Sequence, residues 1–125
     1  MQPIHSDKAP KALGPYSQAQ RVGNLIFCSG QTGFNPETGT ADANDVAGQT
    51  KQALAYLGLV LEAEGLSLQN VVKCNVYITD MQFFQEMNQA YAETFAGHKP
   101  ARTTVAVAGL PLDALVEIEC VAEVP

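Results

Sequence analysis

The last strand-like segment of the sequence, 115–124, constrains the fold most, because its side chains alternate strictly between two kinds. One side of an extended chain would carry only apolar residues, namely Val116, Ile118, Cys120, Ala122 and Val124. The other side would carry Glu117, Glu119 and Val121. Such a strand belongs to a sheet with one apolar face, which helices must cover, and one mixed face.

A change of hydrophobic period places two helices between the strands. From Asp45 onward, apolar residues recur at helical spacing until Gly65 provides a C-terminal stop. Asp80 is a candidate cap for a second helix, which ends at Gly97 and Pro100. Its stripe consists of Phe84, Met87, Asn88, Tyr91 and Phe95. With strands predicted at 17–22, 25–29, 71–79, 103–108 and 115–124, the order is ββαβαββ, an α+β layout in one domain, 1–125.

The mixed face of this sheet predicts self-association. In segment 71–79 the predicted apolar side is Val72, Cys74, Val76 and Ile78. Period-two counting from Arg102 through the segment 103–108 places Arg102, Thr104 and Ala106 on one side. We expect Arg102 to share the mixed face with Glu117. Two helices can cover only one face of the sheet. The other face is too apolar to lie free in solvent. We therefore expect it to pack against copies of the same chain, with small-molecule sites in the clefts.

Composition excludes several classes of protein. The chain has 125 residues, 46% of them hydrophobic, which suits a single core. Seven Lys plus Arg against thirteen Asp plus Glu give a net charge of −6, which disfavours a nucleic-acid partner. No apolar stretch is long enough to span a membrane, so we expect no membrane association and a cytoplasmic protein. Cys28, Cys74 and Cys120 are predicted to be buried reduced thiols, and the two histidines lack metal-like spacing, so no metal is expected.

Arg102 and Glu117 are the main candidates for chemistry. A guanidinium group grips a carboxylate through two hydrogen bonds, so Arg102 could anchor a small anionic substrate. Its structural alternative is a salt bridge, with Glu119 as a plausible partner. A carboxylate partly removed from water can act as a general base, which would suit Glu117. The alternative for Glu117 is an ordinary solvated glutamate.

Three further positions carry weaker predictions. Tyr16 follows a rigid turn and could orient a substrate or pass a proton, although it could equally only pack. Ser29 and Gly30 end a strand, where the glycine would let a ligand approach the backbone, unless it is a simple turn glycine. Asn88 lies on an apolar helix stripe, where an unpaired amide costs about 1–3 kcal/mol. It could shape a pocket or be a satisfied core residue.

Taken together, several motifs resemble the RidA family, also called YjgF, over nearly the whole chain. They are Gly14-Pro-Tyr16-Ser-Gln, Ser29-Gly-Gln31, Asn35-Pro-Glu-Thr-Gly39, Val71-Val-Lys73, the Asp80 helix with Asn88 and Tyr91, Pro100-Ala-Arg102 and Val116-Glu117-Ile118-Glu119. The most specific part is Pro-Ala-Arg followed by Val-Ala-Val-Ala-Gly-Leu and Val-Glu-Ile.

The resemblance implies a chorismate-mutase-like α+β fold, with two helices on one face of a mixed sheet, assembled as a homotrimer with sites between subunits. It also implies hydrolytic deamination of 2-iminopropanoate and 2-iminobutanoate to 2-keto acids and ammonia, with no cofactor. Arg102 would bind the carboxylate and Glu117 would activate water. Tyr16, Ser29, Gly30 and Asn88 would fall in the pocket.

One departure from the family pattern is Thr104, where deaminating members often carry cysteine. Threonine keeps a hydrogen-bonding group for the substrate but removes the thiol, so a role of that sulfur does not transfer. Thr103 is also slightly off the common pattern.

Three alternative functions follow from the same features. The cleft could hold a small carboxylate without turnover, as a regulatory module. The chain could be an RNA-cleaving translation inhibitor, an activity ascribed to some family members, although that needs a basic groove. It could also be a deaminase for another substrate, such as an aminomuconate-like molecule.

Overall fold

A computed structural model describes residues 1–125 as a six-stranded mixed sheet with two helices on one face and a separate two-stranded hairpin. The strands are β1 (Gln2–Ile4), β2 (Ala19–Val22), β3 (Leu25–Gln31), β4 (Phe34–Asn35), β5 (Thr40–Ala41), β6 (Val71–Ile78), β7 (Ala101–Ala106) and β8 (Val116–Glu123). The helices are α1 (Val46–Glu62) and α2 (Phe84–Phe95), with short 3-10 turns at Leu68–Asn70, Met81–Phe83 and Pro111–Asp113.

The main sheet has the order β1-β2-β3-β8-β6-β7, and only β6 and β7 run parallel. Because α2 connects β6 to β7, this pair is a βαβ crossover. The predicted α+β order is confirmed. Two features were missed, namely β1 and the small β4–β5 hairpin. Both are too short to show a hydrophobic period.

Helix α1 begins at its predicted cap, whereas α2 begins later than the sequence predicts. Asp45 accepts a hydrogen bond from the backbone N–H of Gly48 at 2.9 Å and so caps α1. Gly65 follows with φ of +72°, in the left-handed region that favours glycine. Asp80 caps the 3-10 turn before α2, accepting from the N–H of Gln82 at 2.8 Å, rather than α2 itself.

The core lies between the helices and one face of the sheet. All the alternate residues of β8 predicted to point inward from 116 to 122 are buried. Cys120 pairs with Cys28 on one side and Cys74 on the other, so the three thiols form a row across β3, β8 and β6. All three are buried and free, as predicted. No helix is long and apolar enough to cross a membrane.

Two predicted face assignments are wrong. A register shift between Val71 and Lys73 turns Val71 into the core, at 1% exposure, and leaves Val72 41% exposed. The second error concerns Arg102, which pairs with Cys74 and therefore shares the helix-covered face of the sheet.

Glu117 lies on the opposite face from Arg102. It pairs with Tyr77, an odd number of residues from Cys74 along β6, so its side chain leaves the sheet on the uncovered side. The reason for the wrong prediction is the edge position of β7. There the cover provided by α2 is incomplete, so polar side chains are tolerated, while Val105 on the other face is 43% exposed.

The second face of the sheet has no cover in a single chain. Phe27, which pairs with Val121 on this face, is 47% exposed. The Tyr77 hydroxyl donates a hydrogen bond to Glu119 across the same face. An apolar and polar surface of this kind agrees with the expected packing against other copies, and that packing stays a prediction.

Candidate active site

A cavity of about 300 Å³ lies where β3 and β8 approach the N-terminal loop. Tyr16, Gly30 and Glu117 all line it, so the structure brings these three predicted site residues together. Polar groups of Gln31 and Thr32 add to its wall. A volume of this size suits a small organic molecule.

Gly30 is placed directly against the side chain of Glu117. A Cβ atom at position 30 would lie 2.9 Å from the Glu117 Cδ atom and 3.0 Å from its Oε1 atom. Only a residue without a side chain allows the carboxyl group to occupy this position. The glycine therefore serves close approach to a functional group, and it is not a simple turn glycine.

The Glu117 carboxyl group is electrostatically unusual. Burial raises its pKa above the ordinary range, and the nearby charge of Glu119 adds to the effect. Its neighbour Glu119 accepts a hydrogen bond from the Tyr77 hydroxyl group. This hydrogen bond is the main cause that raises the pKa of Tyr77 to about 12. Glu117 forms no ion pair within the chain. A raised pKa and a free carboxylate are what a general base for water requires.

The loop that carries Tyr16 is fastened to the strand that carries Gly30. The Ser29 hydroxyl donates to the carbonyl of Ser17 at 2.7 Å, and the Ser29 N–H donates to the carbonyl of Gln18 at 2.9 Å. The Tyr16 hydroxyl accepts the Leu13 N–H at 3.2 Å, and its side chain is 52% exposed. Ser29 thus positions the wall of the cavity, and it does not line the cavity itself.

Gln18 is a positioning residue that the sequence analysis missed. Its side chain is almost fully buried, accepts the Ser6 N–H at 2.6 Å and donates to the Pro10 carbonyl at 2.8 Å. These bonds hold the segment that forms one wall of the cavity. A signal was present, since Gln18 closes the Gly14-Pro-Tyr-Ser-Gln motif.

Arg102 lies in a second depression, of about 530 Å³, which Asn88, Tyr91 and Lys99 also line. Its guanidinium carbon stands 4.9 Å from the ring centre of Tyr91 and 5.7 Å from that of Phe84. Both distances fit a cation–π contact that orients the group. Arg102 forms no ion pair within the chain, so the expected alternative of a bridge to Glu119 does not form there.

Buried polar atoms without a hydrogen-bond partner lie on α2 and β7, the two elements that meet at this arginine. The Asn88 Oδ1 and Thr104 Oγ1 atoms are buried without a hydrogen-bond partner, and the buried Tyr91 hydroxyl has only the Cys74 thiol as a partner. Thr104 lines neither this depression nor the cavity that contains Glu117. Each buried polar atom without a partner typically costs about 1–3 kcal/mol. Asn88 is therefore not the satisfied core residue of the alternative reading. Asn88 lines the same depression as Arg102, so an unpaired amide oxygen and an unpaired cation lie together where a polar ligand could bind.

The two groups of residues are separated within one chain. Tyr16, Gly30 and Glu117 line the first cavity, whereas Asn88 and Arg102 line the depression beside α2, on the other face of the sheet. No single protomer can therefore bring the guanidinium and the carboxylate onto one small molecule. The sheet and two helices define a small α+β protein whose candidate site residues lie on two separate surfaces.

Comparison with known proteins gives the family. The sequence profile described as "Endoribonuclease L-PSP" matches residues 6–124, and the chain belongs to this family, the YjgF/RidA family. A RutC family protein of Pyrococcus horikoshii is 47% identical over 119 residues, covering 95% of this chain and 94% of its own length. The mouse protein named 2-iminobutanoate/2-iminopropanoate deaminase is 44% identical, with 95% of this chain and 88% of its own length covered.

Solved structures share the fold. RidA from an Antarctic Psychrobacter is 41% identical, with a TM-score of 0.92 over 99% of this chain and 100% of its own. The structure of Escherichia coli TdcF with bound serine is 37% identical, with a TM-score of 0.93 and full coverage of both chains. The predicted RidA-type fold is therefore confirmed.

Proposed function

We propose that this protein hydrolyses 2-imino acids to 2-keto acids and ammonia in clefts formed between neighbouring copies of the chain. The observation that carries the proposal is the separation of an unpaired guanidinium and an unpaired carboxylate on opposite faces of one sheet. Each group is oriented and partly buried but lacks a partner. A cyclic assembly, a trimer by family resemblance, would place Arg102 of one subunit opposite Glu117 of the next.

The chemistry of the two surfaces fits a small planar carboxylate. Arg102 can hold the carboxylate through two parallel hydrogen bonds, while Asn88 supplies a further polar atom. The Glu117 side then faces the imine carbon. The name of the mouse relative supports the imino-acid class, and the serine bound to E. coli TdcF supports a small carboxylate ligand.

The reaction requires only water as a second reactant. Glu117 takes a proton as the water oxygen bonds to the imine carbon, and the C=N π electrons move to nitrogen, which is protonated. The Glu117 carboxyl group supplies the proton that nitrogen takes up, and the hydroxyl proton of the resulting carbinolamine then passes by the same route to the amine, which leaves as ammonia when the C–N bond breaks and the ketone forms. Tyr16 and the backbone at Gly30 line the cavity where this intermediate would form. Orientation and general base catalysis are the main contributions.

A subunit-mixing experiment tests the divided site. Arg102→Ala and Glu117→Gln should each abolish the accelerated decay of an imine that a dehydratase produces in the assay. When the two inactive variants are unfolded, mixed in equal amounts and refolded together, about a quarter of the clefts should combine an intact arginine with an intact glutamate. Activity should therefore return to about a quarter of the wild-type level.

The controls separate this proposal from its alternatives. Each variant refolded alone should stay inactive, and mixed variants that stay inactive despite forming mixed oligomers would refute the two-subunit cleft. Wild-type protein that binds 2-ketobutanoate but never accelerates imine decay would instead be a carboxylate-binding module. An RNA-cleaving role has no support in the charge of −6.

A further inference from the structure

The turn between β7 and β8 holds a leucine in an unusual backbone conformation. Leu112 has φ of 59° and ψ of 31°, and Asp113 follows with φ of 55°. Two consecutive residues with side chains in the left-handed region are strained, because the Cβ atom crowds the following carbonyl. Strain of this kind is typically retained where it serves a function.

The conformation directs the Leu112 side chain to the cavity that contains Glu117. Leu112 lines this cavity together with Leu13 and Phe34, and it remains 54% exposed. Leu13 is 65% exposed. Leu13 and Leu112 are both mostly exposed and lie outside the core of the protein, whereas Phe34 is half-buried. Together they form an apolar wall in a cavity whose other residues include Glu117 and Thr32.

We infer that Leu112 is a specificity-determining residue that favours 2-imino acids with branched or long apolar side chains over the smallest ones. The inference rests on the proposed function and names the substrate class for the same site. A 2-imino acid carries its side chain on the carbon that water attacks, so a substrate held at Glu117 would place that side chain within the same cavity. Contact with one methylene group in an apolar pocket changes kcat/KM by about 10–200-fold.

The test compares two imines produced in the assay by a broad amino-acid oxidase, one from L-alanine and one from L-leucine. The quantity measured is the ratio of kcat/KM for the leucine-derived imine to that for the alanine-derived imine. Wild-type protein should give a ratio above one. Leu112→Gly removes the apolar side chain while its backbone accepts a positive φ, and the ratio should fall at least tenfold.

Two further variants identify the cause of any change. Leu112→Asn keeps a side chain and also tolerates the left-handed conformation, so it should lower the ratio as Leu112→Gly does, which would exclude a simple gain of loop flexibility. Leu25→Ala removes a leucine of similar exposure, 38%, that does not line the cavity, and its ratio should match that of wild type.

The outcomes keep the two proposals distinct. Wild-type protein that accelerates the decay of neither imine would refute the proposed function. Wild-type protein that hydrolyses both imines but prefers the alanine-derived one, or Leu112→Gly with an unchanged ratio, would refute only the role of Leu112.

Discussion

Replacing Gly30 with alanine should lower the activity of the protein strongly while leaving it folded. The added Cβ atom would lie 2.9 Å from the Glu117 Cδ atom, and ordinary contacts begin near 3.4 Å, so the carboxyl group must retreat by about 0.5 Å or change rotamer. The backbone of Gly30 has no positive φ, so alanine adds no strain of its own. The displaced atoms are the far end of a flexible side chain, so the loss of stability should stay below about 1 kcal/mol.

The effect on catalysis should be much larger than the effect on stability. A displacement approaching 1 Å in a reacting group costs about 100-fold in rate, so kcat should fall by roughly 10–100-fold. Imine decay and thermal unfolding of the same preparations measure the two effects. The matched control is Gly58→Ala within α1, where the new Cβ would meet Leu68 Cγ at an ordinary 3.7 Å. Gly30→Ala with more than half of wild-type kcat would contradict the proposed placement of Glu117.

Three other predictions concern stability and reactivity. Because burial raises the pKa of Glu117, the folded chain holds this proton more tightly than the unfolded chain and wild type loses stability as pH rises through that range. Glu117→Gln should therefore be no less stable than wild type at pH 4 and more stable at pH 8. The difference at pH 8 should stay below about 1 kcal/mol, because solvent screens the half-exposed group. An equal pH dependence of the two proteins in urea unfolding would contradict this prediction. Burial raises the pKa of Cys74, and the pKa of Cys120 is raised mainly by a hydrogen bond with Cys28 and also by burial. A disulfide reagent at pH 8 should therefore label neither Cys74 nor Cys120 in the folded protein. In denaturant it should label all three cysteines. Asp45→Ala should lower the free energy of unfolding by about 1 kcal/mol, since it removes the cap of α1, and an unchanged urea midpoint would show that the cap contributes nothing.

Local periodicity was sufficient to predict the helices and the inward-facing residues of β8. These features depend on residues close together in sequence, and α1 even begins at its predicted cap, Asp45. The face of β7 was not predictable in the same way. The parallel register that pairs Arg102 with Cys74 is set by a crossover through α2, and no pattern within 103–108 encodes it.

The structure brings some of the predicted site residues together and separates others, while their roles stay predictions. Glu117 and Gly30 were singled out. The Glu117 side chain lies where a side chain at position 30 would stand. The expectation that Arg102 shares a face with Glu117 was wrong, and the role of Leu112 could not be foreseen. A turn sequence such as Gly-Leu-Pro-Leu-Asp indicates a change of direction but not the left-handed backbone that aims one side chain at a cavity.

The division of charges between two faces has a consequence for inheritance and dosage. In the proposed ring, each chain would contribute its guanidinium to the cleft with one neighbour and its carboxylate to the cleft with the other, so a single defective copy would impair a cleft that it shares with a normal one. A chain carrying both Arg102→Ala and Glu117→Gln would therefore inactivate two clefts at once. When this double variant is expressed together with the normal chain, it should act as a dominant-negative inhibitor of the normal protein.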